Sequence, residues 1–261
     1  PGYTNGETGE GVAFVYHGSA SGISGTAFRT LEGNVAGGRF GQSVACAGDL
    51  NGDGYSDLVV GSPLYANGQA NEGRICVYYG RSSGIVSTPS WSVESNVAGA
   101  MLGCSVAGAG DVNGDGYDDL LVGASGAANG GEAYLYQGSG SGLTATPAWT
   151  GSCGQAGANY GISVAGAGDV HRDGYSDIIV GANLYDNTLV DEGRAFVYYG
   201  SAAGIGATVW TYNGAEAGAQ LGFSVSTAGD VNGDGYSDIL IGAPLLDRTA
   251  TYVDEGRAMI F

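Results

Sequence analysis

The chain has 261 residues, a formal net charge of −18, 52 glycines and 43% hydrophobic residues. This glycine content, without a collagen-like period and with ample apolar residues, excludes a disordered or collagen-like chain and favours short strands joined by tight turns. With 8 basic against 26 acidic residues, nucleic acid and anionic membrane surfaces are poor partners, and no apolar run reaches the roughly 18 residues that cross a bilayer.

Four strand signals, named A to D, recur in a fixed order, each rich in β-branched or aromatic residues and bounded by Gly, Asn or Ser. Strand A is predicted at Phe40 to Gly48, Leu102 to Gly110, Tyr160 to Gly168 and Leu221 to Gly229. Strand B is predicted at Asp57 to Gly61, Asp119 to Gly123, Asp177 to Gly181 and Asp238 to Gly242. Strand C is predicted at Val12 to Tyr16, Arg74 to Tyr79, Glu132 to Tyr136, Arg194 to Tyr199 and Arg257 to Phe261. Strand D, the most polar, contains Phe28, Trp91, Trp149 or Trp210.

The strand pattern predicts an all-β fold, a β-propeller of four-stranded antiparallel blades with about 61 residues per repeat. Strand B is almost continuously apolar, as expected when both faces are covered, and the polar strand D suits an exposed sheet edge. We expect a single domain over 1–261, with blades at 40–101, 102–159 and 160–220 and partial blades at 1–39 and 221–261.

The partial blades leave ring closure open. The strand D near Phe28 to Gly33 can complete the last A-B-C set, which closes a ring within the chain. The alternatives are a fragment of a longer propeller, or a ring completed by another chain.

A nine-residue acidic loop follows each strand A, and we number these loops first to fourth. They span Asp49 to Asp57, Asp111 to Asp119, Asp169 to Asp177 and Asp230 to Asp238. Oxygen-bearing side chains at positions 1, 3, 5 and 9, with glycine at position 6, suit a hard cation such as Ca²⁺, which also accepts the backbone carbonyl of position 7. The loops lack the glutamate at position 12 and the flanking helices of an EF-hand, so we expect a structural role.

Five ligands in each loop predict four Ca²⁺ sites, with tyrosine contributing its carbonyl. The predicted ligands are Asp49, Asn51, Asp53, Tyr55 and Asp57; Asp111, Asn113, Asp115, Tyr117 and Asp119; Asp169, His171, Asp173, Tyr175 and Asp177; and Asp230, Asn232, Asp234, Tyr236 and Asp238. Much of the chain's negative charge therefore belongs to residues of the predicted metal-binding loops.

The third loop departs from this pattern, because His171 and Arg172 replace Asn and Gly. Imidazole is a poor ligand for Ca²⁺ and prefers softer metals. We expect a weakened or water-completed Ca²⁺ site between Asp169 and Asp177, with a transition-metal site as the alternative.

These motifs resemble the FG-GAP repeat of the integrin α-subunit N-terminal propeller. The FG pair stands at Phe40-Gly41 and is replaced by Leu102-Gly103, Tyr160-Gly161 and Leu221-Gly222 in later copies. The GAP triplet is intact at Gly242-Ala243-Pro244, and the acidic loop lies between the two motifs in each repeat. The resemblance covers essentially the whole chain and implies a Ca²⁺-binding propeller.

The resemblance implies a secreted or cell-surface, Ca²⁺-stabilised and non-catalytic module for binding, cell adhesion or assembly, with a protein or glycan ligand and no membrane insertion. One alternative is a carbohydrate-binding propeller lectin, and another is a polysaccharide-active enzyme. Self-association through the incomplete terminal blades is a further alternative for the partner. We predict no enzyme, because the only histidines, His17 and His171, are accompanied by no nucleophile elbow, phosphate loop or zinc motif.

The cysteines and tryptophans allow more limited expectations. Cys46 stands where other copies carry small residues, which suggests a buried free thiol. Cys104 and Cys153 either form a disulfide or remain free, since both are expected near strand ends on one face. The tryptophans are expected to pack structurally within strand D, with an aromatic platform for sugars as the alternative.

Overall fold

The computed structural model describes residues 2–207, 209–247 and 254–261. Apart from a short 3-10 turn at Ala128–Gly130, the regular structure of these residues is strand. The strands are β1 (Val12–Val15), β2 (Gly18–Ser19), β3 (Gly22–Ile23), β4 (Arg29–Glu32), β5 (Ser43–Gly48), β6 (Asp57–Ser62), β7 (Arg74–Tyr78), β8 (Trp91–Glu94), β9 (Ser105–Gly110), β10 (Asp119–Ala124), β11 (Glu132–Tyr136), β12 (Trp149–Gly151), β13 (Tyr160–Gly168), β14 (Asp177–Ala182), β15 (Arg194–Tyr198), β16 (Val209–Asn213), β17 (Ser224–Gly229), β18 (Asp238–Ala243) and β19 (Arg257–Ile260). Among the described residues, no helix is long and apolar enough to cross a membrane.

The strands form five main sheets in chain order. The first sheet pairs β1 with β4, the second contains β5 to β8, the third β9 to β12, the fourth β13 to β16, and the fifth β17 to β19. A small hairpin of β2 and β3 lies in the connection between β1 and β4. Within the four-stranded sheets the order is A-B-C-D and every pairing is antiparallel, which is the arrangement of a propeller blade and confirms the predicted fold class.

A β-bulge at the end of each strand A turns the chain into the acidic loop. In the second sheet, the pairing of β5 with β6 shifts between Cys46 and Gly48, and the intervening Ala47 is buried. Gly48 then takes a φ of 77°, a left-handed conformation that is accessible to glycine at little cost. Equivalent register shifts precede the other three loops. All four loops therefore start from the same backbone geometry.

The hydrophobic core lies between the sheets, so strand B is buried on both faces. In β6, Val60 packs with Leu31 of the first sheet, whereas its neighbour Val59 packs with Leu120 and Val122 of the third sheet. Similar clusters join the third sheet to the fourth and the fourth to the fifth. Burying one such side chain stabilises the fold by about 1.5–3 kcal/mol, so the stack of sheets is held mainly by these contacts.

Glycines at the end of strand B set the distance between neighbouring sheets. A methyl group on Gly123 would place its carbon 1.9 Å from the carbonyl oxygen of Gly161 in the next sheet, and Gly61 and Gly181 are equally crowded by backbone. Within the third sheet, the amide of Gly103 donates to the carbonyl of Gly123 at 2.9 Å. These glycines are the FG and GAP positions of the repeat. The motif therefore marks positions where the backbones of neighbouring sheets are in contact.

The ring closure considered from the sequence is not what the structure shows. Strand β4 pairs with β1, the strand that precedes it in the first sheet, and β19 pairs with β18. A hairpin partner is close in sequence, and the entropic cost of closing that connection is smaller than the cost of joining segments at opposite ends of the chain.

The tryptophans pack between sheets, as the structural interpretation predicted. Trp91 lies 5.2 Å from Tyr136 and Trp149 lies 4.9 Å from Tyr198, each pair centroid to centroid and edge to face. Each tryptophan of strand D thus touches the end of strand C in the following sheet.

All four cysteines are free, so Cys104 and Cys153 form no disulfide. Cys76 is buried, but Cys46 is exposed, and the prediction of a buried thiol at Cys46 is wrong. The small residues that replace Cys46 in later copies are explained by packing: a methyl group on Gly108 would lie 3.0 Å from the carbonyl oxygen of Cys46. The packing constraint therefore applies to Gly108 in strand A of the next sheet. The Cys46 side chain itself lies on the open side of β5.

Replacing Gly123 by alanine should destabilise the protein by at least about 2 kcal/mol, because the new methyl group meets fixed backbone in the next sheet. The matched control is Gly25→Ala, which enters open space and should change stability little. Urea unfolding measures both. Equal midpoints for the two variants would contradict the sheet-spacing role of Gly123.

Candidate metal centre

The acidic loops fold around their first aspartate. In the first loop, the amide of Asp53 donates to Asp49 Oδ1 at 3.0 Å and the amide of Gly54 donates to Asp49 Oδ2 at 2.8 Å. The amide of Tyr55 donates in turn to Asp53 Oδ1 at 3.0 Å. The other three loops repeat these bonds. The aspartates at positions 1 and 5 thus hold the turn while remaining close to solvent.

The aspartate at position 9 is buried at the start of strand B. Asp57 is 2% exposed, and its two oxygens accept hydrogen bonds from the amides of Leu50 at 2.9 Å and Gly80 at 2.8 Å. Asp119 accepts equivalent bonds from Val112 and Gly138, and Asp177 does so from Val170 and Gly200. This carboxylate therefore ties the loop to the end of strand C as well as facing the other acidic groups.

Burial makes the negative charge at position 9 costly. It raises the pKa of Asp57 to about 6, against backbone hydrogen bonds that lower it, and the neighbouring Asp53 and Asp49 add to the rise. The pKa of Asp119 is raised to about 6 for the same reasons. At neutral pH the ionised carboxylates crowd one loop without a compensating cation from the chain. Oxygen donors of this charge and spacing fit a hard divalent cation.

The loops are joined to each other in a belt at one end of the stack. The amide at position 8 of each later loop donates to the carbonyl of position 1 in the preceding one: Asp118 to Asp49 at 3.2 Å, Ser176 to Asp111 at 2.9 Å, and Ser237 to Asp169 at 3.0 Å. In return, the amide of Asp49 donates to Asp118 Oδ2 at 2.8 Å. A cation that orders one loop therefore acts on its neighbours through backbone contacts.

The tyrosine at position 7 covers the glycine at position 4 of the preceding loop. A methyl group on Gly52 would lie 2.5 Å from the ring of Tyr117, and one on Gly114 would lie 2.7 Å from the ring of Tyr175. The tyrosines were predicted from sequence only for their carbonyls. Their rings pack the loop belt together.

In the third loop, the imidazole of His171 lies among the carboxylates. Its Nε2 is 2.9 Å from Asp173 Oδ2, and its Nδ1 is 3.1 Å from Asp177 Oδ2 and 3.9 Å from Asp169 Oδ1. Burial lowers the pKa of His171, but the three carboxylates outweigh it, and the pKa is raised on balance. Among the described residues, only Asp169, His171 and Asp177 bring three titratable ligand atoms within 4.8 Å of one another.

Arg172 changes the packing of the third loop, whereas His171 changes its donors. It holds a φ of 60°, where the other copies have glycine, so the backbone is strained at this position. Its guanidinium lies 6.0 Å from the centroid of the Tyr236 ring in the next loop. The arginine thus stands at the glycine position on which, in the first two loops, the tyrosine ring of the next loop packs directly.

A set of buried glutamates was not identified from the sequence. Glu72 is fully buried and its Oε1 accepts a hydrogen bond from the amide of Asn67, while Glu192 Oε1 accepts from Asn187 at 2.8 Å. Each glutamate fixes the loop between strands B and C, at the end of the stack opposite the acidic loops. The available signal was the pair Glu-Gly, which recurs before strand C at Glu10, Glu72, Glu192 and Glu255.

The sheets, the glycine contacts and the loop belt together define an FG-GAP repeat propeller. The family model described as "FG-GAP repeat" matches residues 40–78 and 221–258, and that described as "FG-GAP-like repeat" matches residues 111–180. The chain therefore belongs to the FG-GAP repeat family, and its propeller is integrin-like.

The curated relatives are integrin α-subunits. The chain is 33% identical to integrin alpha-5 of Xenopus laevis over 199 residues, which covers 70% of this chain and 19% of that protein. It is 35% identical to integrin alpha-IIb of Mus musculus over 161 residues, 58% of this chain and 16% of the relative. Integrin alpha-6 of Gallus gallus matches at 35% identity over 64% of this chain and 15% of its own length. The chain thus spans less than a fifth of the length of these relatives.

The raised pKa values at position 9 predict a pH dependence in the presence of EGTA. Because the folded-state pKa lies above the ordinary value of 3.8, the cost of the ionised carboxylate is fully present above about pH 6 and declines as the pH falls from 6 towards 3.8. The free energy of unfolding should therefore rise by about 1 kcal/mol per carboxylate between pH 7 and pH 5, after discounting for solvent screening.

The double variant Asp57→Asn/Asp119→Asn should lose most of this pH dependence, whereas the matched variant Asp53→Asn/Asp115→Asn should keep it. Urea unfolding at pH 7, 6 and 5 makes the comparison. A wild-type stability that falls over this range would show that the position-9 carboxylates are not the groups that titrate.

Proposed function

We propose that this chain is a Ca²⁺-stabilised extracellular binding module of the adhesion type. The observation that carries the proposal is the belt of four acidic loops, in which each loop combines a buried aspartate at position 9 with less buried aspartates at positions 1 and 5 and the loops contact each other. A bound cation would neutralise that charge at each loop. Extracellular Ca²⁺ modules bind with dissociation constants of about 0.1–1 mM, which matches shallow loops that are open to solvent.

The first, second and fourth loops carry the full set of oxygen donors. Their proposed ligands are the aspartates at positions 1, 5 and 9, the asparagine at position 3 and the tyrosine carbonyl at position 7. The third loop fits Ca²⁺ less well, since His171 offers nitrogen in place of an amide oxygen and already bonds two of the carboxylates. We propose that it binds Ca²⁺ more weakly than the other three.

The partner-binding surface is proposed at the end of the stack opposite the acidic loops. Since neighbouring strands are antiparallel, the loops between strands B and C and between strands D and A all emerge there. This end exposes large apolar side chains, with Val97 at 53%, Leu189 at 39% and Val190 at 66%. Its backbone is braced, because Gln155 bonds both the amide and the carbonyl of Asp186 in the next repeat. A preorganised surface with exposed apolar groups suits a protein ligand.

The similarity to integrin α-subunits supports a place outside the cell or at its surface, and a non-catalytic role. The metal loops supply a second argument for the extracellular location. Sites with dissociation constants of about 0.1–1 mM are filled only where free Ca²⁺ is abundant.

Calcium should raise the melting temperature through three strong sites and one weak site. Isothermal titration should count three ions at moderate Ca²⁺ concentration, and EGTA should lower the melting temperature because a ligand bound only to the native state stabilises it. The variant His171→Asn/Arg172→Gly restores the donor pattern of the other loops and should add a fourth strong site. Asn51→His/Gly52→Arg, the reverse exchange in the first loop, should remove one. An unchanged count in both variants, or a melt that ignores EGTA, would contradict the proposal.

Beads coated with the chain should adhere to cell surfaces in millimolar Ca²⁺ and detach in EGTA. The variant Leu189→Asp/Val190→Asp places charge on the proposed surface and should reduce adhesion at least fivefold without changing the melting temperature. The matched control Ile23→Asp alters another exposed apolar residue, in the small β2–β3 hairpin, and should adhere normally. Equal adhesion of the two variants would show that the binding surface does not include Leu189 and Val190. Absence of adhesion by the wild type would refute the proposed function.

A further inference from the structure

A cleft opens between the first and second sheets, and none of the residues that line it belongs to an acidic loop. We call it the outer cleft; it lies between β4 and β7 and has a volume of about 450 Å³. The same place between the second and third sheets holds only about 190 Å³. The two spaces are related by the repeat, so the difference in volume has a local cause.

One residue of strand C differs strongly in size between the two places. Cys76 lines the outer cleft, whereas the equivalent residue is Tyr134 in the third sheet and Phe196 in the fourth. In the fourth sheet Phe196 packs edge to face on Tyr160 at 5.3 Å and fills the gap between the sheets. A small thiol in place of an aromatic ring leaves the outer cleft unfilled.

Arg74 leaves hydrogen-bonding capacity in the outer cleft. Its counterpart Arg194 in the fourth sheet donates Nε to Asn213 and Nη2 to Asn187 at 2.9 Å. Arg74 instead donates Nη2 to Ser92 Oγ at 3.3 Å, and its buried Nε has no partner among the described residues. A guanidinium carries five N–H donors and Arg74 lines the cleft, so an acceptor that enters it can bind donors that Ser92 does not use.

The remaining walls of the outer cleft combine both charges, hydroxyl groups and aromatic rings. Glu32 supplies a carboxylate and Thr30 and Thr88 supply hydroxyls, and the buried rings of Tyr65 and Phe40 also line the cleft. An anion would meet Glu32 within the cleft and the chain's net charge of −18 around it. A neutral ligand with many hydroxyls avoids this repulsion, since each hydroxyl can accept from a guanidinium and donate to a carboxylate.

We propose that the outer cleft binds one neutral saccharide ring. Its hydroxyls accept from Arg74 and donate to Glu32 and to the threonine hydroxyls that line the cleft. A cleft of this volume lies within the range of about 300–1,000 Å³ that small-molecule sites occupy. The site lies away from the acidic loops and does not include Leu189 or Val190, so the tests of the two proposals change different residues.

Saturation-transfer NMR on the Ca²⁺-loaded chain tests the proposal with methyl glycosides of glucose, galactose, mannose and N-acetylglucosamine, together with glucuronate and acetate. At least one neutral glycoside should receive saturation from the protein. Arg74→Gln should weaken its binding about tenfold, the loss expected for one hydrogen bond to a charged group. The matched control Arg81→Gln, at an exposed arginine outside the cleft, should bind normally.

Cys76→Tyr copies the third sheet and should abolish binding by filling the outer cleft. Thr30→Trp provides a second block at an exposed residue of β4, for use if Cys76→Tyr lowers the melting temperature. Three outcomes would overturn the proposal: no neutral glycoside binds the wild type, binding survives Thr30→Trp in full, or only glucuronate and acetate bind.

Discussion

The close approach of neighbouring sheets at glycine is the constraint on which the rest of the structure depends. Gly123 sits so near the carbonyl of Gly161 that no side chain fits between them, and the contact recurs at Gly61 and Gly181. At this spacing both faces of strand B are covered, and side chains such as Val59 and Val60 are fully buried. The same spacing brings consecutive acidic loops into backbone contact. The glycines of the FG-GAP motif are thus required for the packing of neighbouring sheets.

The acidic loops illustrate how a fold can accumulate charge that it does not balance itself. The position-9 aspartate is needed inside, because it receives amides from its own loop and from the end of strand C. The remaining aspartates shape the turn and stay near the surface. A divalent cation bound as proposed would offset the free-energy cost of placing these carboxylates together.

Repeat proteins let one substitution be compared with an unchanged neighbour. His171 and Arg172 replace an oxygen donor and a flexible glycine, and the local result is an imidazole that bonds Asp173 and Asp177. Cys76 replaces an aromatic residue, and the local result is an open cleft. In both cases the strand pairing of the repeat is preserved, so the change in chemistry stays local.

The sequence by itself determined the repeat, the strand order, the acidic loops and the family, because strand composition, glycine at fixed phase and ligand spacing are all local properties. It also identified the anomalous third loop from His171 and Arg172. The tertiary structure decided what depends on neighbours in space: the pairing of β4 with β1, the exposure of Cys46, the free thiols of Cys104 and Cys153, and the packing of Tyr117 on Gly52. It alone revealed the outer cleft, since the small residue Cys76 is visible in the sequence but the space that it leaves depends on how two sheets pack.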